Sequence, residues 1–351
     1  MKILSLFDGM ACGALAMQAA GIEIDKYIAY EIDKYAIQTA QHNFPFIEER
    51  GDVFKADFKE YAGFDYLIGG SPCTYWSIAQ TKNRETVASG MGWELFSQYV
   101  RALHEAKPRF FLYENNKSMS AAIRASITET FGFEPILINS ALVSAQNRQR
   151  LYWCGIRQAD GTYKKADIQQ PADRGILLKD ILETNAVTWL EKAYTYTTRC
   201  QGAIIENTLE KHQHTMVAEP ICVNSKSGRA GVEGLQPSLQ DRVYDTAGKM
   251  PAVTTSFNPR IAEPVCVAQR GRYDAPIYEV KDGFITVKGN KYPIKLVDGF
   301  YIIRKLTVRE CMRLQTVPEW YEWPVSKSQA YKMLGNGWTV EVIANLLRGL
   351  K

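Results

Sequence analysis

The sequence predicts an α/β protein, with a mostly parallel central sheet interrupted by a smaller, mostly β domain. Three observations lead there. Short apolar runs alternate with helix-forming runs from Lys2 to Trp153. Several of those apolar runs end on a glycine turn or an acid, as strands do where an open sheet binds its ligands. From about Arg157 to Ile303 the alternation gives way to short β-branched runs, glycine turns and scattered charge, and at Leu306 the α/β character returns. The expected division is therefore 1–156, an inserted 157–303, and 304–351 returning to the first domain.

Lys2 to Phe7 is short and apolar and reads as the first strand. The turn Asp8-Gly9-Met10-Ala11-Cys12-Gly13 follows, then a helix-forming run from Ala14 stopped by Gly21. Strand, glycine loop and helix open a Rossmann-like, nucleoside-binding sheet, although two glycines do not make the full GxGxxG pattern. Tyr27 to Tyr30 reads as the second strand and ends on Glu31, whose carboxylate suits a ribose diol or the start of a helix from Ile32 to Asn43. Asp52 lies after a polar loop and is an acceptor for an exocyclic amine.

Phe64 to Ile68 reads as a buried strand leading into Gly69-Gly70-Ser71-Pro72-Cys73. The glycines permit a sharp turn and Pro72 stiffens it, so Cys73 is presented at a strand's carboxyl end, as a nucleophile or as a small core residue. Residues 74–93 read as a polar loop, either an active-site lid or uninvolved, and Trp93 to Ala106 as an amphipathic helix. A strand from Arg109 to Tyr113 ends on Glu114, a second carboxylate at a strand tip. The stretch from Gln146 to Trp153 supplies more strand, with Arg148 and Arg150 on one face. In the insert, Ala218 to Val223 is echoed by Ala262 to Val267, and each copy leads into a glycine turn carrying Arg229, or Arg270 and Arg272. Thr307-Val308-Arg309-Glu310 has the form of a helix capping box, and Leu334 to Val340 reads as a glycine turn opening a last helix.

The 351 residues are 46% hydrophobic, enough for a packed core and against disorder. Net charge is only +4, so a nucleic-acid footprint must be local. The seven cysteines are scattered without CxxC spacing, which argues against a zinc site or disulfide framework and for a reducing compartment. No apolar run is long enough to span a membrane, and the N-terminus reads as strand rather than signal peptide.

Taken in order, these pieces resemble the DNA cytosine-5 methyltransferase family. Phe7-Asp8-Gly9 with Gly13, Glu31, Asp52, Pro72-Cys73, Glu114-Asn115, Gln146-x-Arg148-x-Arg150, Arg304-x-Leu306-Thr307-x-x-Glu310 with Arg313-Leu314-Gln315, and Gly335-Asn336 correspond to its ordered motifs. Ser71, Ser77-Ile78 and Gly335-x-x-Trp338 look like the branch of phage enzymes and animal de novo methyltransferases. Two departures are Asn116, where the family has Val, and Thr74, where it has Gln.

The resemblance implies an S-adenosyl-L-methionine-dependent methyltransferase sheet with a target-recognition domain in 157–303. It implies methyl transfer to carbon 5 of a flipped-out cytosine in a specific duplex DNA word, with S-adenosyl-L-homocysteine as product and no metal. Cys73 would be the nucleophile, Glu114 the acid at ring nitrogen N3, and Arg150 the partner of the cytosine carbonyl, with Arg148 supporting that site or a phosphate. The cofactor would lie among Phe7, Asp8, Gly9, Gly13, Glu31, Asp52, Pro72 and Asn336. Ser77 and Ile78 would meet DNA beside the vacated base. Arg229, Arg270 and Arg272 would read bases, unless their turns are solvated hairpins. A cytoplasmic monomer on DNA is expected, with a cognate restriction endonuclease as a genetic partner. Two alternatives stay open: a tRNA cytosine-5 methyltransferase, and an inactive DNA-binding relative.

Overall fold

The structure, a computed structural model, describes residues 1–77, 84–183, 186–220 and 276–350, without the side chains of Cys73, Arg199 and Gln201. Two compact units emerge: Met1–Leu177 with Tyr194–Gln201 and Val308–Lys351, and Leu178–Ala193 with Gly202–Thr307.

The first unit is built on an eight-stranded sheet. Strands β1 (Lys2–Leu6), β2 (Lys26–Tyr30), β3 (Ile47–Glu49), β4 (Tyr66–Gly69) and β5 (Phe110–Asn116) run parallel. Strand β7 (Gln149–Arg157) runs antiparallel to β5, to β6 (Ile136–Asn139) and to β8 (Tyr163–Lys165). The order is β3-β2-β1-β4-β5-β7-β6, with β8 alongside β7. The chain moves outward from β1 to β3, then lays β4 on the other side of β1. The loops after β1 and β4 thus leave one sheet edge where the strand order reverses, the place where open α/β sheets bind ligands. Four of the five β1 residues and all of β4 are buried, which is why both read as nearly unbroken apolar runs.

Helices α1 (Cys12–Ala19), α2 (Lys34–Asn43), α3 (Gly90–Ala106) and α4 (Ala121–Phe131) follow β1, β2, β4 and β5. After the second unit, which contains α5 (Ile205–Leu209), come α6 (Val308–Leu314), α7 (Lys327–Asn336) and α8 (Val340–Gly349). Helix α8 packs on α1, returning the end of the chain to its beginning. Tyr30, Leu67, Tyr99, Phe111, Tyr113 and Trp153 lie in the largely aromatic core.

Several boundaries differ from the sequence reading. Helix α2 starts at Lys34, because the Asp33 side chain accepts the Tyr35 N–H and caps it; Glu31 is left outside the helix. Helix α3 starts at Gly90, so Gly90 and Gly92 belong to its first turn and not to a loop. Gly335 and Asn336 end helix α7, which the reading missed, and only Gly337 to Thr339 turn into α8. Strand β7 continues to Arg157, and β8 pairs with it, so the first unit extends well past residue 156.

The second unit, as far as it is described, holds a five-stranded antiparallel sheet. Its strands are β9 (Met216–Pro220), β10 (Ile277–Lys281), β11 (Phe284–Val287), β12 (Asn290–Pro293) and β13 (Gly299–Lys305), ordered β12-β11-β10-β13-β9. Asp282-Gly283 (φ 52° and 75°) and Lys288-Gly289 (φ 49° and 84°) make two-residue hairpin turns. Positive φ at both positions matches the twist of the flanking strands. Val280, Ile285, Val287 and Tyr301 form part of the core of this unit. Ile78, Arg229, Arg270, Arg272 and most of the echoed segments lie outside the described residues.

Candidate active site

The loop after β1 is held in a strained form. Phe7, Gly9 and Ala11 have left-handed φ of 58°, 62° and 60°, a region disfavoured for a bulky Phe. The Phe7 and Asp8 N–H groups donate to the Tyr30 carbonyl, and the Gly9 N–H donates to Glu31 Oε2 at 2.9 Å. Glu31 Oε1 accepts the Ile32 and Asp33 N–H groups. Glu31 therefore ties the tip of β2 to the β1 loop instead of starting a helix. Gly13 lies inside α1, where a Cβ would fall 2.5 Å from both Ile68 Cδ1 and Tyr27 Oη; its role in the structure is to let α1 settle on the sheet.

Asp8 is buried. Its Oδ1 accepts from Ser5 Oγ (2.5 Å) and Tyr27 Oη (2.6 Å). Its Oδ2 is buried without a partner, as are both carboxylate oxygens of Glu49 at the end of β3. Burial, with smaller contributions from neighbouring acids, raises Asp8 to about 6 and Glu49 to about 8. Asp52 Oδ1 caps the short turn Val53–Lys55 by accepting the Phe54 N–H. Carboxylates thus gather just past three adjacent parallel strands. A ligand with a cationic centre, hydroxyl donors and an amine would satisfy these acceptors. The sequence reading missed Glu49, although its position at a strand tip is the signal that singled out Glu31.

The turn after β4 is pinned from below. Ser71 is buried, its hydroxyl 2.7 Å from Tyr113 Oη, and Asn115 Nδ2 donates to the Ser71 carbonyl at 3.2 Å. Gly70 is needed for close approach, since a Cβ there would fall 2.7 Å from the Glu114 carbonyl oxygen and 2.9 Å from Glu114 Oε2. Cys73 then opens a 3-10 turn, Cys73–Tyr75, after an exposed Pro72. The next residues are less polar in effect than expected. Trp76 is fully buried, and its indole donates to Glu85 Oε2 at 3.0 Å. Arg84 donates to the carbonyls of Trp76 and Ser118. Ser77, half-buried, ends the first described stretch.

Strand β5 runs on past Tyr113, so Glu114 sits within it, beyond the end of β4. Arg150 Nε lies 3.1 Å from Glu114 Oε1. The indole N–H of Trp338 donates to Glu114 Oε2 at 3.0 Å. Arg148 does not join this group. It precedes the pleated part of β7 and is buried, donating to the carbonyls of Tyr196 (2.7 Å), Gly337 (2.9 Å) and Gly335 (3.3 Å). A buried guanidinium needs acceptors for its fixed fan of donors, and these carbonyls supply them. Gln146 and Gln315 extend the clamp. Gln146 Nε2 donates to the Leu314 carbonyl and to Gln315 Oε1, and Gln315 Nε2 to the Leu334 carbonyl. Asn336 is exposed at the end of α7.

Four other cysteines, Cys12, Cys154, Cys200 and Cys311, are buried. Burial pushes Cys12 up to about 12 and also raises the other three, holding all four as unreactive thiols. Among the described residues, no group of His, Cys, Asp or Glu could hold a metal ion, and no helix is long and apolar enough to cross a membrane.

A family model described as C-5 cytosine-specific DNA methylase matches residues 1–351. The orphan methyltransferase M.SPRI of Bacillus phage SPR is 26% identical, over 100% of this chain and 97% of that protein. The type II methyltransferase M.FnuDI of Fusobacterium nucleatum is also 26% identical, over 100% of this chain and 94% of its own. In fold, the S. pombe Dnmt2 methyltransferase matches with a TM-score of 0.54 at 15% identity, covering 100% of this chain and 98% of that one.

Proposed function

The chain belongs to the C-5 cytosine-specific DNA methylase family, and from that membership and the geometry of the sheet edge we propose how its residues divide the work. It is a DNA cytosine-5 methyltransferase. The observation that carries the division is the meeting of Gly70 and Glu114. It brings the loop of Cys73 against a carboxylate whose two oxygens face a guanidinium and an indole N–H.

Carbon 5 of cytosine is a poor nucleophile. Thiolate attack by Cys73 on carbon 6 forms a C–S bond and pushes electrons toward carbon 5 and N3. Glu114 supplies a hydrogen bond or proton at N3, and Arg150 stabilises charge on the adjacent carbonyl. Arg150 keeps donors for that carbonyl, because a guanidinium carries five. The electron pair gathered at carbon 5 would take up a methyl group; with that C–C bond made, loss of the carbon 5 proton and breaking of the C–S bond would restore the aromatic ring and release the Cys73 thiolate. Arg148 holds the α7–α8 turn and acts through position, not through contact with the base.

The methyl donor implied by the family is S-adenosyl-L-methionine, which supplies an electrophilic methyl on a sulfonium. The orphaned acceptors near the sheet edge fit that cation. Asp8 and Gly9 would form the floor, Glu31 would take the ribose hydroxyls, Asp52 the adenine amine, and Phe7, Pro72 and Asn336 would border the ligand. The duplex must release its target base into this site, because the reacting atoms are hidden in the stack.

Transfer of labelled methyl groups to duplex DNA and to tRNA, followed by bisulfite sequencing, tests the reading. Label is expected in duplex DNA alone, at cytosines within one recurring word. Label in tRNA alone would contradict it.

A further inference from the structure

The indole of Trp338 is not required by the chemistry above, yet it takes up one of the two oxygens of Glu114. Its ring nitrogen lies 3.0 Å from Oε2, while Arg150 Nε lies 3.1 Å from Oε1. The side chains of Glu114 and Arg150 are only 13% and 14% exposed, so these contacts are shielded from water. The backbone that delivers the indole is also fixed. Arg148 and Gln315 donate to the carbonyl of Gly337, and the Gly337 N–H donates to the Met333 carbonyl. The Thr339 hydroxyl donates to Gln315 Oε1 and pairs with Ser140.

We propose that Trp338 is a positioning residue for methyl transfer, its indole N–H holding Glu114 Oε2 so that the carboxyl group is aimed before the base arrives. The proposal rests on the reading of Glu114 as the group at N3. An indole N–H is a neutral donor that neither accepts nor ionises. It fixes the carboxyl without adding a second positive charge beside Arg150. A charged donor there would oppose protonation of Glu114 more strongly. Trp338 lies two residues beyond Asn336, so the segment proposed to border the cofactor also aims the acid. The buried tyrosines Tyr113 and Tyr152 feel the Glu114 charge, and burial above all holds both neutral, far above their ordinary range.

The test is a double-mutant cycle on the full-length enzyme with duplex DNA. Trp338→Phe keeps a ring and removes the donor. It is expected to lower kcat about 10-fold, the scale of one hydrogen bond to a charged group, with KM for S-adenosyl-L-methionine within about twofold of wild type. In a Glu114→Ala background, Trp338→Phe should cost nothing further, because the group it acts through is gone. Trp338→His, which restores a ring N–H, serves as the second variant and should recover part of the loss if it keeps the wild-type melting temperature. A full loss in the Glu114→Ala background, or wild-type kcat in Trp338→Phe, would overturn the proposal. Wild-type activity in Glu114→Ala alone would instead remove the reading of Glu114 on which it rests.

Discussion

Arg148 and Arg150 are two residues apart and do unlike work. Alternation along a strand suggested one shared face, but β7 begins only at Gln149, so Arg148 escapes the pleat and turns to the carbonyls of Tyr196, Gly335 and Gly337. Which partners a guanidinium finds depends on backbone brought from far along the chain, and no local pattern carries that. Glu31 and the Gly69–Cys73 turn stood out because strand-ending acids and glycine turns are local signals; Glu114 stood out the same way, although it lies inside β5, which runs on to Asn116. Trp338 was visible only as a family mark; its link to Glu114 spans the chain from β5 to the α7–α8 turn. The proposed split between cofactor and base residues gives distinct outcomes. Glu31→Ala should weaken S-adenosyl-L-methionine binding about 10-fold or more in calorimetry, the scale of charge-assisted hydrogen bonds. Glu114→Gln should leave that affinity within about twofold while lowering kcat by about 100-fold or more. Equal losses of affinity in both variants would contradict the split.

At the scale of elements, the strand–loop–helix repeats were readable because buried parallel strands form short apolar runs bounded by turns. Helix α7 was missed, although Ser326 and Gln329 carry a capping pattern: the Ser326 hydroxyl accepts the Gln329 N–H. The Gly335-Asn336-Gly337 run drew attention to a turn and hid the helix before it. The tips of β1 to β3 make a separate prediction. Burial first, then the charges of Asp8 and Glu31, raise Glu49 to about 8, above its ordinary value of 4.5. The native state therefore keeps a proton that the unfolded chain releases. Its stabilising contribution is complete below about pH 4.5 and is lost as pH rises toward 8. Without cofactor, the wild-type melting temperature should fall relative to Glu49→Gln between pH 5 and 8. A relative fall of about 2–4 °C corresponds to about 1 kcal/mol in a unit of this size. Parallel melting curves across that range would show that Glu49 carries no such proton.

At the scale of the molecule, the interruption of an α/β unit by a mostly β one was legible, whereas its boundary was not. Composition changes at Arg157, but the sheet continues through β8, and Tyr194–Gln201 returns to the first unit, where the Tyr196 N–H donates to Gln146 Oε1. The net charge of +4 gave no global sign of a DNA partner. The family match along residues 1–351 supplies that identity, and the sheet edge supplies the chemistry proposed for it. That proposal stands on one bond, between Cys73 and carbon 6 of cytosine. The direct measurement uses duplex DNA with 5-fluorocytosine at the target, incubated with the enzyme and S-adenosyl-L-methionine. Fluorine cannot leave as a proton, so the adduct cannot resolve. The account predicts a denaturation-resistant protein–DNA complex that maps by peptide mass to the segment holding Cys73 and is absent from Cys73→Ala. An adduct on any other cysteine, or none with an enzyme that methylates ordinary duplex, would contradict it.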